Sequence, residues 1–317
     1  MRIAFASCMT SFRFPDQTVW DEIAARQPDV LVLLGDSAYY DADGASMSQV
    51  KDMSANDFAV HAHARLARQI ARPRFQALVA QPQLTTHAIW DDHDFLWNGA
   101  CGAEIAGQPQ FSHLIPPTRA LFAAYRQALA ARLAPGSFPA APPASNAATP
   151  EPGYSNIALG EGVLLHLTDG RSYKARRGRT ALLGADQMNA IEAACEAADP
   201  ATVHLIASGI VFDARHGETW LDCQAEYRRL QMLAMNHRIL ILSGDIHDNN
   251  LASYRLANGS FLFEATSSGA AVCTAVTVGA VQRNWGLLDI DANRVGIEIF
   301  KSGVAQYAGS IDRGAWT

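Results

Sequence analysis

The segment "ILILSGDIHD", residues 239–248, decides the fold of this chain. Four branched apolar residues run into a Ser-Gly pair, and Asp245, His247 and Asp248 follow directly. An apolar run that does not alternate with polar residues is typical of a strand buried on both faces of a parallel sheet. Because ligands of α/β sheets bind beyond the carboxyl ends of the strands, the polar residues here predict a site at this strand end.

Three other apolar runs end in the same manner. They are "RIAFASC" (2–8), "DVLVLLGD" (29–36) and "LTTHAIWDDHD" (84–94), which end in Cys8, in Asp36 and in an acidic cluster from Asp91 to Asp94. Each ending alone has an ordinary explanation, such as a core cysteine or a solvated turn. Since all four endings supply atoms that bind metal ions, one shared crevice is the simpler interpretation.

The donor types divide into two groups. Thiolate, phenolate and imidazole suit a redox-capable transition ion such as ferric iron, whereas carboxylates suit hard cations. The candidates for the first ion are Cys8, Tyr39 and His247, and those for the second are Asp92 and Asp245. Asp36 has two carboxylate oxygens and can bridge both ions. Two cations ~3.5–4 Å apart are a recurring device for in-line displacement at phosphorus, which makes phosphoester hydrolysis the leading hypothesis.

Composition limits the other functions. The chain has 317 residues, a net charge of −6 and 18% charged residues, so specific nucleic-acid binding through many phosphates is not expected. No apolar stretch approaches the ~18 residues that a membrane helix needs. Residues 1–8 read as a strand with no signal-like segment, and the five cysteines contain no CxxC pair. We therefore expect free thiols, a cytoplasmic location and no membrane association. The oligomeric state is left open.

The pattern along the chain alternates strands with helices and predicts an α/β fold with two sheets packed together and helices outside. Helices are predicted near residues 18–27, 48–80, 116–133, 184–198 and 219–236. Strands are predicted at 202–212 and 238–243, with hairpins at 154–170 and 286–300. A Pro/Ala-rich segment at about 134–153 reads as a surface loop. The segments on both sides of it resemble halves of one unit, so residues 1–317 are treated as a single domain.

Several motifs taken together resemble a known family. The set "FASC", "GDSAYY", "WDDHDF" with Asn98, and "LSGDIHD" is similar to the alkaline phosphatase D (PhoD-like) metallophosphatases. These belong to the calcineurin-like metallophosphoesterase superfamily, near the purple acid phosphatases. The resemblance runs in order from residue 2 to about 300. It implies a four-layer αββα sandwich of two mixed sheets flanked by helices. It also implies that metal-bound hydroxide attacks a phosphomonoester or phosphodiester.

The resemblance also implies roles for particular residues. Fe(III) would be held by Cys8, Asp36, Tyr39 and His247, and calcium or another divalent ion (Mn, Mg or Zn) by Asp36, Asp92 and Asp245. The residues implied around substrate are His93, Asp94, Asn98 and Arg171. His93 would contact phosphate or protonate the leaving oxygen, and Asp94 would orient His93. Asn98 would contact metal or phosphate, and Arg171, in "TDGRSYK" (168–174), would contact phosphate. The partner is a small-molecule phosphoester.

Three departures from the family pattern are visible. The export signal and the extra N-terminal β domain of secreted members are not seen, which supports the cytoplasmic expectation. The superfamily's mid-chain histidine ligand has no clear match, although His204 and His216 flank the right neighbourhood. The segment after residue 300 is short, so a lid formed there is expected to be missing and the site open. The alternative from a different class is a non-catalytic metal- or nucleotide-binding module on the same fold.

Overall fold

A computed structural model describes residues 1–145, 153–176, 181–213 and 217–317. Its strands are, in chain order, β1 (Arg2–Ala6), β2 (Val30–Leu34), β3 (Thr85–Ile89), β4 (Ser155–Gly160), β5 (Val163–Leu167), β6 (Val203–Ser208), β7 (Arg238–Ser243), β8 (Asn249–Arg255), β9 (Phe261–Ser267), β10 (Val272–Ala275), β11 (Val278–Gln282), β12 (Asn284–Ile290), β13 (Arg294–Lys301) and β14 (Val304–Asp312). Its α-helices are α1 (Val19–Ala25), α2 (Met47–Lys51), α3 (Ala55–Ile70), α4 (Pro73–Val79), α5 (Asp92–Phe95), α6 (Gly102–Ala106), α7 (Pro109–Ser112), α8 (Ile115–Ala130), α9 (Ala185–Ala197) and α10 (Gln224–Ala234).

Two six-stranded mixed sheets form the centre of the fold. The first has the order β14-β13-β12-β1-β2-β3, in which β1, β2 and β3 run parallel and the other three strands are antiparallel. The second has the order β4-β5-β6-β7-β9-β8, in which the four strands β5, β6, β7 and β9 are parallel. The strands β10 and β11 form a separate hairpin.

Three apolar cores hold the layers together. The core between the sheets takes alternate residues from both, for example Val32 and Leu34 of β2 and Leu240 and Leu242 of β7. The opposite face of each sheet is covered by helices, α1, α3, α4 and α8 on the first sheet and α9 and α10 on the second. The predicted four-layer αββα sandwich is therefore confirmed. Strands buried on both faces explain why β2 and β7 read as uninterrupted apolar runs.

Several predicted elements differ in detail. The helical region predicted at 48–80 is three helices, α2, α3 and α4. Ser54 accepts a hydrogen bond from the backbone N–H of Asp57 and so begins α3, and Pro73 occupies the first turn of α4. The helix predicted at 219–236 begins with a 3₁₀ turn at Trp220–Asp222 before α10.

Further strands lie where no strand was predicted. β8 follows the turn that carries Asp245 and His247, and β14 extends the first sheet after residue 300. The segment after residue 300 is therefore an edge strand. Of the Pro/Ala-rich segment 134–153, residues 146–152 lie outside the described part, as does His216. The five cysteines are free, as predicted. Within the described ranges, no helix has the length and apolar character required to cross a bilayer.

Candidate metal centre

Four strand ends bring the predicted ligands to one place. The ligands follow β1, β2, β3 and β7, which are parallel strands of the two facing sheets, with β3 at the edge of the first sheet. Cys8, Asp36 and His247 have ligand atoms within 4.8 Å of one another, and the same is true of a group formed by Asp36, Asp91, Asp92 and Asp245. Asp36 is common to both groups, so its carboxylate lies between them.

The first group is closely packed around Tyr39. The hydroxyl of Tyr39 lies 3.3 Å from Oδ2 of Asp36 and 3.2 Å from Nε2 of His247. Sγ of Cys8 lies 3.5 Å from the same oxygen of Asp36. Ser268 links Cys8 to His247. Its hydroxyl lies 3.2 Å from Sγ of Cys8 and accepts a hydrogen bond from the backbone N–H of His247. A thiol, a phenol, an imidazole and a carboxylate therefore face one small volume.

The backbone at this place has an unusual conformation. Cys8, Asp36, Asp245 and His247 have φ values of 61°, 54°, 70° and 51°. Non-glycine residues rarely adopt positive φ, and the strain costs of the order of 1–3 kcal/mol at each position. Four such residues at one site indicate that the surrounding fold holds the side chains in position against local preference.

Two glycines make room for the second group. Gly35 has φ of 99°, and a Cβ added there would lie 2.5 Å from Cβ of Asp91. A Cβ added at Gly209, at the end of β6, would lie 2.3 Å from Oδ1 of Asp91. Asp91 therefore fits only because both neighbours lack side chains. Asp92 alone of this acidic pair was predicted as a ligand, since two adjacent carboxylates in a sequence give no sign of which one turns inward.

The second group contains oxygens that lack partners. Oδ2 of Asp91 and Oδ1 of Asp92 are buried, and neither accepts a hydrogen bond from the residues that the structure describes. A buried carboxylate oxygen without a partner is costly, and a cation is the usual way to satisfy it. The donors present therefore fit a divalent ion beside Asp36.

A buried ion-pair network supports these carboxylates from behind. Arg171 has no exposed surface; its Nε donates to Oδ1 of Asp91 at 2.6 Å and its Nη1 donates to Oε2 of Glu218 at 2.5 Å. Nζ of Lys174 lies 2.5 Å from the same oxygen of Glu218. Arg171, predicted to contact phosphate, is thus enclosed behind the carboxylates.

His93 is oriented by a carboxylate other than the one predicted. Its Nδ1 lies 2.5 Å from Oδ1 of Asp41, whose other oxygen accepts the backbone N–H of Asn98 at 2.7 Å. Asp94 instead accepts the backbone N–H groups of Asp91 and Ser37, at 2.6 and 2.9 Å. Asp94 shapes the turn that presents Asp92 and His93. Asp41 was missed because the chain between β2 and α2 has no periodic pattern.

The protonation equilibria are strongly shifted. Burial raises the pKa of the Cys8 thiol to about 11 and holds the pKa of Tyr39 well above its ordinary value. Burial together with Asp91 and Asp92 raises the pKa of Asp245 to about 7. For Asp92, burial alone would raise the pKa, but Arg171, His93 and the backbone N–H of Gly99 together outweigh burial and lower the pKa to about 2. Without cations Cys8, Tyr39 and Asp245 therefore tend to keep their protons, and a bound cation would reverse that tendency.

Comparison with known proteins agrees with the fold and the motifs. The model of a family described as PhoD-like phosphatase matches residues 3–306. The chain belongs to this family. This PhoD-like phosphatase is accordingly a phosphoesterase, a hydrolase of ester bonds. Among curated proteins, no sequence matched it.

Two solved structures resemble the fold of this PhoD-like phosphatase. One, titled as the structure of PhoD, has 14% sequence identity and a TM-score of 0.67, covering 98% of this chain and 68% of its own. The other is a dimetal phosphatase from Danio rerio, with 9% identity and a TM-score of 0.56, covering 99% of both chains. At these identities the likeness is one of fold.

A cavity opens next to the candidate centre of the PhoD-like phosphatase. It has a volume of about 400 Å³, and Asp92, Asp245 and His247 line it. The exposed side chain of Asn98, implied by the family resemblance to contact metal or phosphate, also lines this cavity. Arg176 reaches the same cavity, in the basic stretch that begins at Arg171. Residues 177–179 of that stretch lie outside the described part of the chain.

Two histidines flank the position expected for the mid-chain ligand, and one of them, His216, lies outside the residues that the structure describes. His204 lies on β6 and contacts His166 of β5, with its Nδ1 3.0 Å from Nε2 of that residue. His204 is therefore not at the candidate centre. Asp91, which was not predicted as a ligand, lies beside Asp36, Asp92 and Asp245.

Proposed function

We propose that this PhoD-like phosphatase hydrolyses phosphoesters at a dinuclear metal centre. The observation that supports this most is the carboxylate of Asp36, which belongs to two groups of ligand atoms at once. One group contains Cys8 and His247, and the other contains three further carboxylates. A structural neighbour carries the description of a dimetal phosphatase, which agrees with two ions at this fold position.

The donors assign a different ion to each group. Cys8, Tyr39 and His247, with Asp36, suit ferric iron, because thiolate and phenolate are ligands for redox-capable transition ions. Asp36, Asp92 and Asp245, joined by Asp91, suit calcium or another divalent ion with oxygen preference, such as Mn²⁺ or Mg²⁺. When bound, the ions supply positive charge for an in-line displacement at phosphorus and activate water.

The chain's own residues would then handle the leaving group. We assign proton transfer to His93, which lies within 4.8 Å of Asp36 and Asp92, measured between ligand atoms. The bond from Nδ1 to Asp41 fixes the imidazole ring and assigns the exchange of a proton with the leaving oxygen to Nε2. General acid catalysis of this kind contributes roughly 10²–10⁴-fold.

The phosphate contact falls to Arg176 instead of Arg171. Arg176 is exposed and lines the cavity, and its guanidinium lies beside Gly99, where an added Cβ would stand 3.6 Å from Nη1. Asn98 lines the same cavity and can donate its amide protons to a phosphate oxygen. Arg171 would act from behind by holding Asp91 in place.

The substrate class is a small-molecule phosphomonoester or phosphodiester. A cavity of about 400 Å³ accommodates a phosphoryl group with a small alcohol attached. A panel of nitrophenyl monoesters and diesters at equal concentration separates the two possibilities by their kcat/KM values.

Two aspartates in one turn provide a matched test of the centre. Asp245 faces the other carboxylates, whereas Asp248 has a side chain 55% exposed, 3.8 Å from Lys301. We expect Asp245→Asn to lower kcat at least 10²-fold and to reduce bound metal, because a ligand loses its charge. Asp248→Asn should leave both unchanged. Full activity and full metal content in Asp245→Asn would refute the dinuclear centre.

The identity of the ions is tested by elemental analysis combined with absorption spectroscopy. Thiolate and phenolate bound to ferric iron absorb visible light through charge transfer, so the protein should be coloured. The colour should weaken in Tyr39→Phe and in Cys8→Ser separately. A colourless, active protein that contains zinc or magnesium alone would contradict the iron assignment and leave the phosphoesterase intact.

A further inference from the structure

A second group of metal-binding side chains lies in the outer layer, away from the candidate centre. It consists of His166 on β5, Cys195 on α9 and His204 on β6. Their exposed fractions are 0%, 1% and 1%. Val163, Leu165 and Leu167 face the core between the sheets. Because side chains of a strand alternate, His166 faces the opposite way, toward the helical layer that contains Cys195.

The separations of the ligand atoms resemble the edges of a tetrahedral zinc site. Nε2 of His166 lies 3.0 Å from Nδ1 of His204, and Sγ of Cys195 lies 3.5 Å from the same nitrogen. With Zn–N near 2.0–2.1 Å and Zn–S near 2.3 Å, tetrahedral geometry requires about 3.3 Å between two nitrogens and about 3.6 Å between nitrogen and sulfur. Shifts of a few tenths of an ångström would bring these two separations to the tetrahedral values, and the ligand atoms of Cys195 and His166 lie within 4.8 Å of each other.

The remaining contacts favour the tautomer and the neutral protonation state in which these histidines can bind a metal ion. The hydroxyl of Tyr154 lies 2.8 Å from Nδ1 of His166 and can accept its proton. This bond leaves the lone pair on Nε2, the atom that faces His204 and Cys195. A hydrogen bond from the second ring nitrogen to a neighbouring acceptor is the usual support of a metal-bound histidine. Burial lowers the pKa of His166 to about 3 and the pKa of His204 to about 4, so both rings are neutral at pH 7.

We propose that His166, Cys195 and His204 bind a zinc ion that fastens α9 to the second sheet. Two imidazoles and one thiolate are donors that zinc prefers, and they differ from the carboxylate group that suits harder ions. Water or His237 completes the fourth position, since the ring of His237 lies 5.9 Å from that of His204. The Cys195 thiol gives up its proton when zinc binds, so one proton is released for each ion bound.

The test uses Co²⁺ as the probe, in a Cys8→Ser protein whose candidate centre no longer contains a thiolate. A Co²⁺–thiolate charge-transfer band then reports a site outside that centre. We expect the band in Cys8→Ser, its loss when Cys195→Ser is added, and its loss when His204→Ala is added. Cys223→Ser is the matched control, because Cys223 is also buried in the same outer core at 3% exposure. That substitution should leave the band unchanged.

Two outcomes overturn the proposal. One is the absence of a thiolate band in folded Cys8→Ser protein, which would show that the group is only a hydrogen-bonded chain of neutral side chains. The other is a band that survives Cys195→Ser. If the double variants fail to fold, X-ray absorption of zinc bound to the Cys8→Ser protein decides, since the proposal requires a component with one sulfur and two imidazole nitrogens. A spectrum without sulfur would exclude it.

Discussion

Arg171 offers a sharp test of whether a residue near the centre stabilises the fold or binds substrate. Its guanidinium is fully buried and donates to Asp91 at 2.6 Å and to Glu218 at 2.5 Å. Replacing Arg171 by methionine removes both charge-assisted hydrogen bonds and leaves the buried carboxylate of Asp91 without its guanidinium partner. Each such bond is worth about 1.5–3 kcal/mol, and breaking a buried pair from one side costs about 3–5 kcal/mol. We expect a loss of about 3–5 kcal/mol in unfolding free energy.

The magnitude converts into a shift that thermal unfolding can measure. At about 2.1 cal/mol/K per residue, a chain of 317 residues has an unfolding entropy of about 0.67 kcal/mol/K, so Tm should fall by roughly 4–8 °C. Arg176→Met is the matched variant, because Arg176 is exposed and lines the cavity. It should leave Tm unchanged and raise KM for a nitrophenyl phosphate. An unchanged Tm with a tenfold higher KM in Arg171→Met would refute our interpretation and restore a direct phosphate contact.

Three further predictions concern two residues near the candidate site and one histidine on β3. In Gly209→Ala the new Cβ would lie 2.3 Å from Oδ1 of Asp91, so the carboxylate must move by about 1 Å. We expect kcat to fall about 10²-fold while the fold is retained, and steady-state kinetics with unchanged kcat would contradict this. Asp41→Asn keeps an acceptor for the backbone N–H of Asn98 but removes the charge next to His93, so we expect kcat to fall roughly 10–10³-fold with metal content unchanged. Burial lowers the pKa of His87 to about 4. Because the unfolded chain binds that proton below pH ~6.5 and the folded chain does not, His87 lowers stability as pH falls from 6.5 to 4, by up to ~3 kcal/mol. In urea unfolding, His87→Gln should flatten that dependence, and an unchanged slope would contradict it.

The strands that carry ligands were predictable because burial on both faces leaves a strong mark on sequence. β2 and β7 are short runs of branched apolar residues that stop at a Gly-Asp pair. The strands without a prediction have weaker patterns. Residues of β14 from Val304 to Ser310 are exposed, so apolar alternation does not mark the strand. β14 forms a hairpin with β13 through the two residues Ser302 and Gly303, so the Ser-Gly turn signal could have indicated the strand although apolar periodicity could not.

The sequence predicted which residues come together at the candidate site better than it predicted which of their side chains contact one another. Cys8, Asp36, Tyr39 and His247 were found from strand ends and motifs, and the structure brings them together. Contacts between side chains from different loops escaped prediction. Asp41 reaches His93 from 52 residues away in the chain, and Arg171 reaches Asp91 from 80 residues away. Such pairings depend on how loops cross at the sheet edges, which only the folded chain determines.

The left-handed backbone at four candidate ligand positions has a consequence for protein engineering. Cys8, Asp36, Asp245 and His247 occupy a conformation that glycine adopts without penalty. A laboratory selection for heat resistance alone would therefore favour glycine at these positions. A selection that also demands turnover would keep the present side chains. Positions at which the two selections yield different residues would identify, without spectroscopy, the side chains that the enzyme keeps for activity although they lower its stability.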